Sequence, residues 1–447
     1  MDNSNVSLTD VACPFCGLAC DDLALKKSDD GLAVTANGCA VSVAAFSELS
    51  KHDARNASPR LDGRPVALEK AINAAAQLIG NSTAPLIAGL GTDVAGARAL
   101  LQLADRIHAY VDHMNMSAKL RNVLTLQNGG WITTTLAEVK NRADFVLVLG
   151  SSAVTRFPRL LERVVWPTDA MFVDGNDKRE VVFLGEFNGT EIKRDGPAQI
   201  FHCEHRSLTR LLPALRALCN GQPTNPQQVA ASDWKTLAQI AEKIARAKYG
   251  VIVWSAGDFD FPHGELTVQV IAELLKDLNK NGRFAGLPLG GNDGDLTSNG
   301  VQTWQSGLSL RSRYGKNGID YDPERYGTER LLAENEVDLM VWVSSFTARK
   351  TPPATAIPQI VLGPPAMKLE REPRVFIPVG TPGIHHGGHF VRTDKVVIAR
   401  LRPLLATQIP SVASISEKIL TALCCRVPTA RHPMKAASQP CLGQNQP

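Results

Sequence analysis

Short apolar runs alternate with helical segments along most of this 447-residue chain, and this alternation limits the possible folds more than any other feature. Residues 84–91, 144–151, 249–257 and 337–345 are mainly apolar. Between such runs lie segments with apolar residues at helical spacing, for example 67–80. Strands that are apolar on both faces and are connected through helices form parallel sheets covered by helices. The sequence therefore predicts an α/β fold.

The same patterns predict the remaining elements of this fold. Further strands are predicted at 109–114, 171–175, 199–203, 283–290, 359–363 and 375–380, and helices at 42–49, 92–109, 206–219, 231–248 and 265–280. Loops that follow parallel strands gather at one edge of the sheet, where ligands bind. The loops after five strands are therefore expected to line a cleft, namely those after Gly91, Gly150, Gly257, Gly290 and Ser345. None of these loops carries a strong phosphate-binding fingerprint.

Composition excludes several classes of protein. A formal net charge of +4 gives no reason to expect a nucleic-acid partner. No apolar run approaches the roughly 20 residues needed to span a membrane, and the first ten residues do not form a secretory signal. An odd number of cysteines, nine, in such a chain indicates metal ligation in a reducing, cytoplasmic compartment rather than disulfides.

Four of the nine cysteines lie within the first 39 residues, at Cys13, Cys16, Cys20 and Cys39. A short loop can direct three sulfurs at one centre while a fourth closes the site, as in a tetrahedral zinc or a [4Fe–4S] site. The spacing Cys-x2-Cys-x3-Cys-x18-Cys is less regular than the paired Cys-x2-Cys motifs of zinc ribbons. This spacing favours an iron–sulfur cluster over zinc. Because four of the nine cysteines lie so near one another in sequence, four unrelated thiols are disfavoured.

Two other groups of potential ligands are given a structural interpretation. His385, His386 and His389 lie in a glycine-rich turn, and a polar loop is favoured over a metal site. Cys424 and Cys425 are adjacent on a predicted helix, so that their side chains point about 100° apart. These two cysteines are predicted to be buried small residues.

Several segments, in this order, resemble one family. They are CPFCGLACDD (13–22), TLAEVKNRADFVLVLGSS (135–152), RFPRLLERVVWP (156–167), GGNDGDLTSNGVQTWQSG (290–307) and VFIPVGTPGIHHGGHFVRTDKVV (375–397). The chain is similar to the B-type subunit of formylmethanofuran dehydrogenase, a relative of the large molybdopterin oxidoreductases. The resemblance implies a small N-terminal Cys-rich domain with a [4Fe–4S] cluster on the four cysteines, followed by interleaved Rossmann-like parallel-sheet domains that hold a molybdenum or tungsten pterin.

This resemblance sets the expected domain boundaries. We expect a Cys-rich iron–sulfur-type domain at 1–52, a first α/β portion at 60–165, a second Rossmann-like domain at 166–290, an α/β portion returning to the first domain at 291–425, and a disordered tail at 426–447.

One departure from the family decides the expected function. Redox members bind the metal through a cysteine or selenocysteine in the region corresponding to 111–125, which has no cysteine here. Met116 and Ser117 are poor substitutes for a thiolate, and His113 is better explained as a hydrogen-bonded structural residue. The chain therefore looks like the non-redox B-type subunit of the bacterial formyltransferase/hydrolase complex.

The resemblance implies a role in methylotrophic one-carbon metabolism. In that complex a formyl group passes from tetrahydromethanopterin to a methanofuran-type carrier and is hydrolysed to formate, completing the oxidation of formaldehyde to formate. We expect a scaffold without catalytic residues or a molybdenum or tungsten pterin, assembled with A-, C- and D-like subunits. The four cysteines would hold a cluster or a residual zinc. The alternative is the catalytic metallopterin subunit of formylmethanofuran dehydrogenase.

Five residues are candidates for ligand binding, because they lie where relatives line the pterin pocket. They are Asn292, Trp304, Arg311, Arg313 and Lys316. The three cations suit an anionic ligand such as the glutamate-rich tail of the carrier. An equally good alternative is a solvated loop at a subunit interface.

Overall fold

The computed structural model describes residues 6–51, 58–173, 175, 178–187, 192, 196–222 and 230–425. The strands of this part of the chain are β1 (Val6–Val11), β2 (Leu23–Ser28), β3 (Gly31–Ala36), β4 (Arg60–Leu61), β5 (Arg64–Pro65), β6 (Pro85–Gly91), β7 (Tyr110–Val111), β8 (Phe145–Leu149), β9 (Glu180–Gly185), β10 (Ala198–His202), β11 (Gly250–Ser255), β12 (Phe284–Leu289), β13 (Ser312–Gly315), β14 (Gly318–Tyr321), β15 (Leu339–Ser344), β16 (Gln359–Gly363), β17 (Val375–Pro378), β18 (Gly388–Val391) and β19 (Ile398–Leu401). Its α-helices are α1 (Ala40–Lys51), α2 (Leu68–Asn81), α3 (Val94–Ile107), α4 (Met116–Gly129), α5 (Leu136–Arg142), α6 (Ser152–Thr155), α7 (Leu208–Cys219), α8 (Ala231–Arg246), α9 (Gly264–Leu278), α10 (Asp295–Ser306), α11 (Thr328–Ala333) and α12 (Val412–Cys424).

The larger sheet has nine strands in the order β14-β13-β7-β6-β15-β16-β17-β4-β5. Its five central strands, β7 to β17 in this order, are parallel, and the strands at both edges pair antiparallel. Every residue of β6, β15 and β16 is buried, as expected for strands with helices on both faces. The sheet combines strands from residues 60–111 with strands from 312–378, so the chain leaves it and later returns.

The second sheet is parallel throughout, with the order β10-β9-β8-β11-β12. The sequence analysis placed the start of the second Rossmann-like domain at residue 166. This sheet contains β8 and therefore begins earlier, at residue 145. Helices α7, α8 and α9 supply the buried leucines and isoleucines that pack against it. One parallel sheet and one sheet with a parallel centre, both covered by helices, confirm the predicted α/β fold.

The N-terminal cysteines lie in a small unit of three antiparallel strands, β1 to β3, followed by α1. Its buried residues, including Leu25 and Phe46, belong to the same continuous core as residues of both sheets. Arg159 joins the unit to the second sheet region by donating two hydrogen bonds to the carboxylate of Asp22, at 2.7 and 2.9 Å. A bidentate, largely buried pair of this kind fixes orientation as well as position.

Two predictions of local structure are wrong. Residues 171–173 form bends instead of a strand, and β9 (180–185) takes the place in the sheet. Met171 is 71% exposed, whereas β9 carries the buried run Val181–Gly185. Cys424 and Cys425 are exposed because α12 directs Val412, Ile415 and Ile419 to the core instead.

The disordered tail predicted at 426–447 lies outside the described residues. Within the described ranges, no helix combines the length and the apolar character needed to cross a membrane.

Gly17, in the cysteine loop, approaches the loop after β12 so closely that a side chain does not fit. A Cβ atom there would lie 1.7 Å from the carbonyl oxygen of Gly290. We expect Gly17→Ala to separate the two loops and to lower the free energy of unfolding by at least about 1–3 kcal/mol. Urea unfolding measures this loss.

Gly80→Ala, in α2, is the matched control, because the added methyl group would meet only Leu423 of α12, at 3.9 Å. It should be neutral or stabilise the protein by roughly 0.5–1 kcal/mol. Equal stability of the two variants would contradict the close approach of the loops.

Candidate functional site: a cleft at the carboxyl ends of the sheets

A cavity of about 270 Å³ opens beyond the carboxyl ends of β11 and β12, with α4 along one side. It is lined by Asn115, Ala118, Lys119, Asn122, Val123, Leu126, Gln127, Trp131, Arg156, Phe157, Ser255, Ala256, Gly257, Pro288, Leu289, Gly290, Asn292, Asp295, Leu296, Asn299, Thr303, Gly307, Ser309 and Lys395. Carboxyl ends of parallel strands are where such folds bind ligands. The cleft therefore lies at the carboxyl ends of the strands, where the sequence analysis expected it.

Only part of the predicted loop set forms its wall. The loops around Gly257 and Gly290 line the cavity, and the segment after Gly150 contributes Arg156 and Phe157 beyond α6, whereas the loops after Gly91 and Ser345 are not among its lining residues. The loops at Gly91 and Ser345 bind each other instead, with the Ser345 amide donating to the Gly91 carbonyl at 2.7 Å.

In the segment 111–125, which has no cysteine, His113, Met116 and Ser117 are engaged within the fold, whereas other residues of the segment line the cavity. His113 is buried; its Nδ1 accepts from the Asn115 amide at 3.0 Å, and its Nε2 lies 3.2 Å from the Asp293 carbonyl. Nε2 therefore carries the proton, and burial lowers the pKa of His113 to about 4. Met116 is fully buried, and the Ser117 hydroxyl accepts from Arg311 at 2.8 Å. These contacts agree with the structural interpretation of His113.

The most strongly perturbed group of the cleft is Lys119, on α4. Its side chain is 10% exposed, and its Nζ donates to the backbone carbonyl of Asp295 at 2.8 Å. The Asp295 carboxylate lies 3.7 Å away and itself accepts from the Gly291 amide at 2.9 Å. Burial lowers the pKa of Lys119 to about 8, with Asp295 opposing this shift and Lys395 adding to it.

Two more cations complete the charge of the cleft. Lys395 places its Nζ 5.5 Å from the centre of the Trp131 ring, a cation–π contact. Although the residue as a whole is exposed, desolvation of its ammonium group lowers the pKa of Lys395. Arg156 lies at the exposed rim, near Asp258. Asp295 is the one carboxylate among the described lining residues, so the cleft carries excess positive charge.

The structure separates the five candidate ligand-binding residues. Asn292 lines the cleft, whereas Trp304 is 58% exposed outside its lining. Arg311 is buried and donates to the carbonyl of Pro323 at 2.8 Å, with its Nε 3.4 Å from Asp112. Arg313, on β13, lies over the Tyr110 ring, and Lys316 is in the exposed β13–β14 turn. The last four residues therefore do not meet at the cleft.

The four N-terminal cysteines lie around one small cavity, together with Arg159. Burial, the largest cause, raises the pKa of Cys13, of Cys16 (to about 12) and of Cys20, and neighbouring thiols raise each further. Arg159 and Arg163 oppose the shift at Cys20. In the described part of the chain, no group of three or more His, Cys, Asp or Glu side chains is arranged to hold a single metal ion.

The histidines of the glycine-rich turn serve the backbone. Nδ1 of His385 accepts from the Thr381 amide at 3.0 Å, and burial lowers the pKa of His385 to about 4. His386 lies between the carbonyls of Gly387 and Gly380, at 2.7 and 3.2 Å. His389 is exposed on β18. These positions agree with the polar-loop interpretation.

The interleaved sheets, the N-terminal cysteine unit and the cleft at the strand ends place the chain in the class of α/β proteins built from two connected parallel-sheet units. No family model matches the chain. It is 24% identical over 400 residues to the B-type subunit of the tungsten-containing formylmethanofuran dehydrogenase 2 of Methanocaldococcus jannaschii, covering 87% of this chain and 92% of the relative. The corresponding subunit of Methanococcus maripaludis is 25% identical over 401 residues, with the same coverages.

A bacterial relative matches equally well. The B-type subunit of the formyltransferase/hydrolase complex Fhc of Methylorubrum extorquens is 26% identical over 356 residues, covering 79% of this chain and 93% of the relative. The crystal structure of the FhcABCD complex of that organism with methylofuran contains a chain that superposes with a TM-score of 0.70 at 25% identity, covering 83% of this chain and 99% of that one. The resemblance to the B-type subunits of formylmethanofuran dehydrogenase and of the formyltransferase/hydrolase complex is therefore confirmed.

Sequence reasoning missed the residues that give the cleft its charge. Lys119 lies on a helix that was not predicted, and Lys395 lies in the turn before β19. The sequence did contain a signal for Lys395: this residue lies in the segment 375–397 that was matched to the family, directly after Asp394. Its φ of +61° was not foreseeable from the pattern of residues.

Lys119 should make stability depend on pH in a defined direction. Its folded pKa of about 8 lies below the ordinary value of 10.5, so between these values the unfolded chain binds more protons. The contribution of Lys119 to the free energy of unfolding therefore rises from pH 8 to pH 10.5, by on the order of 2–3 kcal/mol.

Urea unfolding of the wild type and of Lys119→Met at pH 7, 8, 9 and 10 isolates this contribution. The free energy of unfolding of the wild type, minus that of Lys119→Met, should increase as pH rises. Lys235→Met, at an exposed position of α8, should follow the wild type at each pH. A constant difference between the wild type and Lys119→Met would contradict the lowered pKa.

Proposed function

We propose that this chain is the B-type subunit of a formyltransferase/hydrolase complex and acts as a scaffold without a redox site of its own. The observation that carries the proposal is the match, over most of both chains, to the corresponding subunit of the Methylorubrum complex. The segment 111–125 supports the non-redox assignment, because it has no thiol and its His113 and Ser117 are held in hydrogen bonds within the fold. The complex would release a carrier-bound formyl group as formate in the cytoplasm, in the final steps of formaldehyde oxidation.

The second candidate is the catalytic metallopterin subunit of formylmethanofuran dehydrogenase. It is favoured by the two archaeal relatives, which are named tungsten-containing. The resemblance implies that a molybdenum or tungsten centre needs a thiolate or selenolate ligand from the segment 111–125. No cysteine occurs between Cys39 and Cys203, so this segment offers no such ligand. The scaffold is therefore the better supported assignment.

Docking to A-, C- and D-like subunits is supported by the apolar surroundings of the cleft. Leu126, of the cavity wall, is 42% exposed. Ile132, Trp304 and Val396 are 37%, 58% and 63% exposed and adjoin the lining residues Trp131, Thr303 and Lys395. Large apolar side chains grouped in this way are typical of surfaces that another protein covers. The scaffold would hold transferase and hydrolase subunits within reach of one tethered carrier of the methanofuran type, which raises the effective concentration of the formyl group.

Cys13, Cys16, Cys20 and Cys39 would bind a [4Fe–4S] cluster in this scaffold, with a residual zinc as the alternative. Three of the four thiols are buried around one small cavity with Arg159, whose positive charge suits a centre ligated by thiolates. The cluster would crosslink the small N-terminal unit and so stabilise its fold.

The content of iron, sulfide and zinc in anaerobically purified protein tests this assignment. We expect iron and sulfide in equal amounts, and their loss in Cys16→Ser, because a hydroxyl is a poor ligand for iron. Cys203→Ser, at a half-buried thiol outside the cavity, should retain both. Wild-type protein without iron, sulfide or zinc would show that the four thiols bind no metal.

The function itself is tested on the purified complex that contains this chain. We expect formyl transfer and formate release, no formate-linked reduction of a viologen dye, and no molybdenum, tungsten or extractable pterin. Dye reduction together with bound molybdenum or tungsten would overturn the proposal and establish the dehydrogenase. A stable, catalytically active monomer would contradict the scaffold role as well.

A further inference from the structure

Two of the segments that resemble the family, 13–22 and 156–167, meet beside the four N-terminal cysteines. The first supplies three of these cysteines, and the second supplies Arg159 and Arg163. The Arg163 amide donates to the Arg159 carbonyl at 3.1 Å, so the two arginines lie one turn apart on the same side of the chain. A short π-helix (Leu161–Val165) contains Arg163. Single π-helical turns are rare and occur often at functional sites, so the pair of arginines is a candidate for a role beyond packing.

Arg159 is held at the cysteine cavity by carboxylates. It is one of the residues that line this cavity, and its side chain is 9% exposed. Its two Nη atoms donate to the Asp22 carboxylate at 2.7 and 2.9 Å, and its Nε donates to the Glu162 carboxylate. A bidentate pair of this kind fixes the orientation of the guanidinium group. Asp22 and Glu162 therefore act as positioning residues that keep a permanent positive charge beside the thiols.

Arg163 adds a second positive charge. Its Nη2 donates to Asp21 at 2.9 Å, and its guanidinium group also contacts the Asp22 carboxylate. Burial, the largest cause, raises the pKa of Cys20, and Asp22 adds to this rise. The charges of Arg163 and Arg159 lower the pKa of the same thiol. Both arginines are therefore close enough to act electrostatically on a sulfur of the cavity.

Three carboxylates accompany the two guanidinium groups, but they face the solvent more than the arginines do. The side chains of Asp21, Glu162 and Asp22 are 77%, 52% and 35% exposed, against 30% for Arg163 and 9% for Arg159. Water and dissolved ions screen exposed charges more strongly than buried ones. The charge that acts most strongly on the cysteine cavity is therefore positive.

A centre held by four thiolates is an anion. The four deprotonated sulfurs carry more negative charge than an iron–sulfur core or a zinc ion cancels, and reduction of a cluster adds to the excess. The thiols suit such a centre, because three of the four are buried around one cavity. Burial makes an uncompensated anion costly, so a fixed cation next to the cavity stabilises the loaded state.

We propose that Arg159 and Arg163 compensate the negative charge of the centre bound by the four N-terminal cysteines, and that their charge raises its reduction potential. The inference rests on the metal binding by these cysteines that is part of the proposed function. Because reduction makes the centre more negative, nearby positive charge stabilises the reduced form more than the oxidised form. The two arginines thus do more than join the cysteine unit to the second sheet region.

A redox titration of the full-length, anaerobically purified chain, followed by electron paramagnetic resonance, tests the proposal. At the midpoint potential of the wild type, we expect the ratio of reduced to oxidised cluster to fall several-fold in Arg159→Gln and in Arg163→Gln. Arg159→Lys should stay close to the wild type, since it keeps the charge. Arg216→Gln is the matched control and should leave the ratio unchanged. Arg216, on α7, also pairs with an aspartate, Asp277, at 2.6 Å, and it is not among the residues that line the cysteine cavity.

A purely structural role predicts a different pattern. Lysine does not form the bidentate pair with Asp22, so Arg159→Lys and Arg159→Gln would lose stability to urea alike, and neither would change the potential. The circular dichroism spectrum and the iron content of each variant establish that it is folded and loaded. If Arg159→Gln does not load, Arg163→Gln and Arg159→Lys remain for the comparison.

Three results would overturn the proposal. An unchanged ratio in the loaded glutamine variants would show that the arginines do not act on the cluster, and it would leave the assignment of the cluster intact. Wild-type protein without iron, sulfide or zinc would remove the centre itself and the proposal with it. If zinc takes the place of the cluster, the rate of zinc transfer to a chelating dye is measured instead. We expect this rate to be several-fold higher in the two glutamine variants than in Arg159→Lys, and equal rates would be the third contradicting result.

Discussion

The junction between the cysteine loop, the loop after β12 and the turn before β19 is the contact on which the rest of the molecule depends. The Thr393 amide donates to the Gly17 carbonyl at 2.7 Å, and its hydroxyl accepts from the Gly290 amide at 3.0 Å. The Gly17 amide in turn lies 3.3 Å from the Asn292 side-chain oxygen. Three segments far apart in sequence are thereby fixed at one point. Because the loop after β12 forms a wall of the cleft, the cysteine unit and the cleft cannot shift independently.

The sequence predicted those elements whose burial is uniform along the strand. β6, β8, β11 and β15 are buried at every residue, and their apolar runs are visible without knowledge of the fold. The antiparallel strands β1 to β3 were missed because charged and polar residues interrupt their alternation. Residues 171–173 were assigned to a strand because all three are apolar. A short apolar run does not by itself distinguish a buried strand from an exposed surface segment.

Helix α10 illustrates a second limit of sequence reasoning. The segment 290–307 contains five glycines, and no helix was predicted there. In the structure, Gly294 and Gly307 take left-handed conformations (φ +76° for both) that start and end a helix, rather than preventing one. The candidate Arg311 failed for a related reason. Its partners Asp112 and Ser117 are almost 200 residues away in sequence, so that nothing local indicated a buried structural arginine.

The pairing of Lys119 with Asp295 shows how a charge can be kept inside this fold. Burial lowers the pKa of Lys119 to about 8, and the Asp295 carboxylate, 3.7 Å away, opposes this shift. Removing one partner of a buried ion pair is strongly destabilising, because it leaves a buried charge without compensation. Lys119 lies on α4 and Asp295 begins α10, so the pair ties two helices that are far apart in sequence. A contact of this kind fixes the position of the cleft wall, which is consistent with an architectural role.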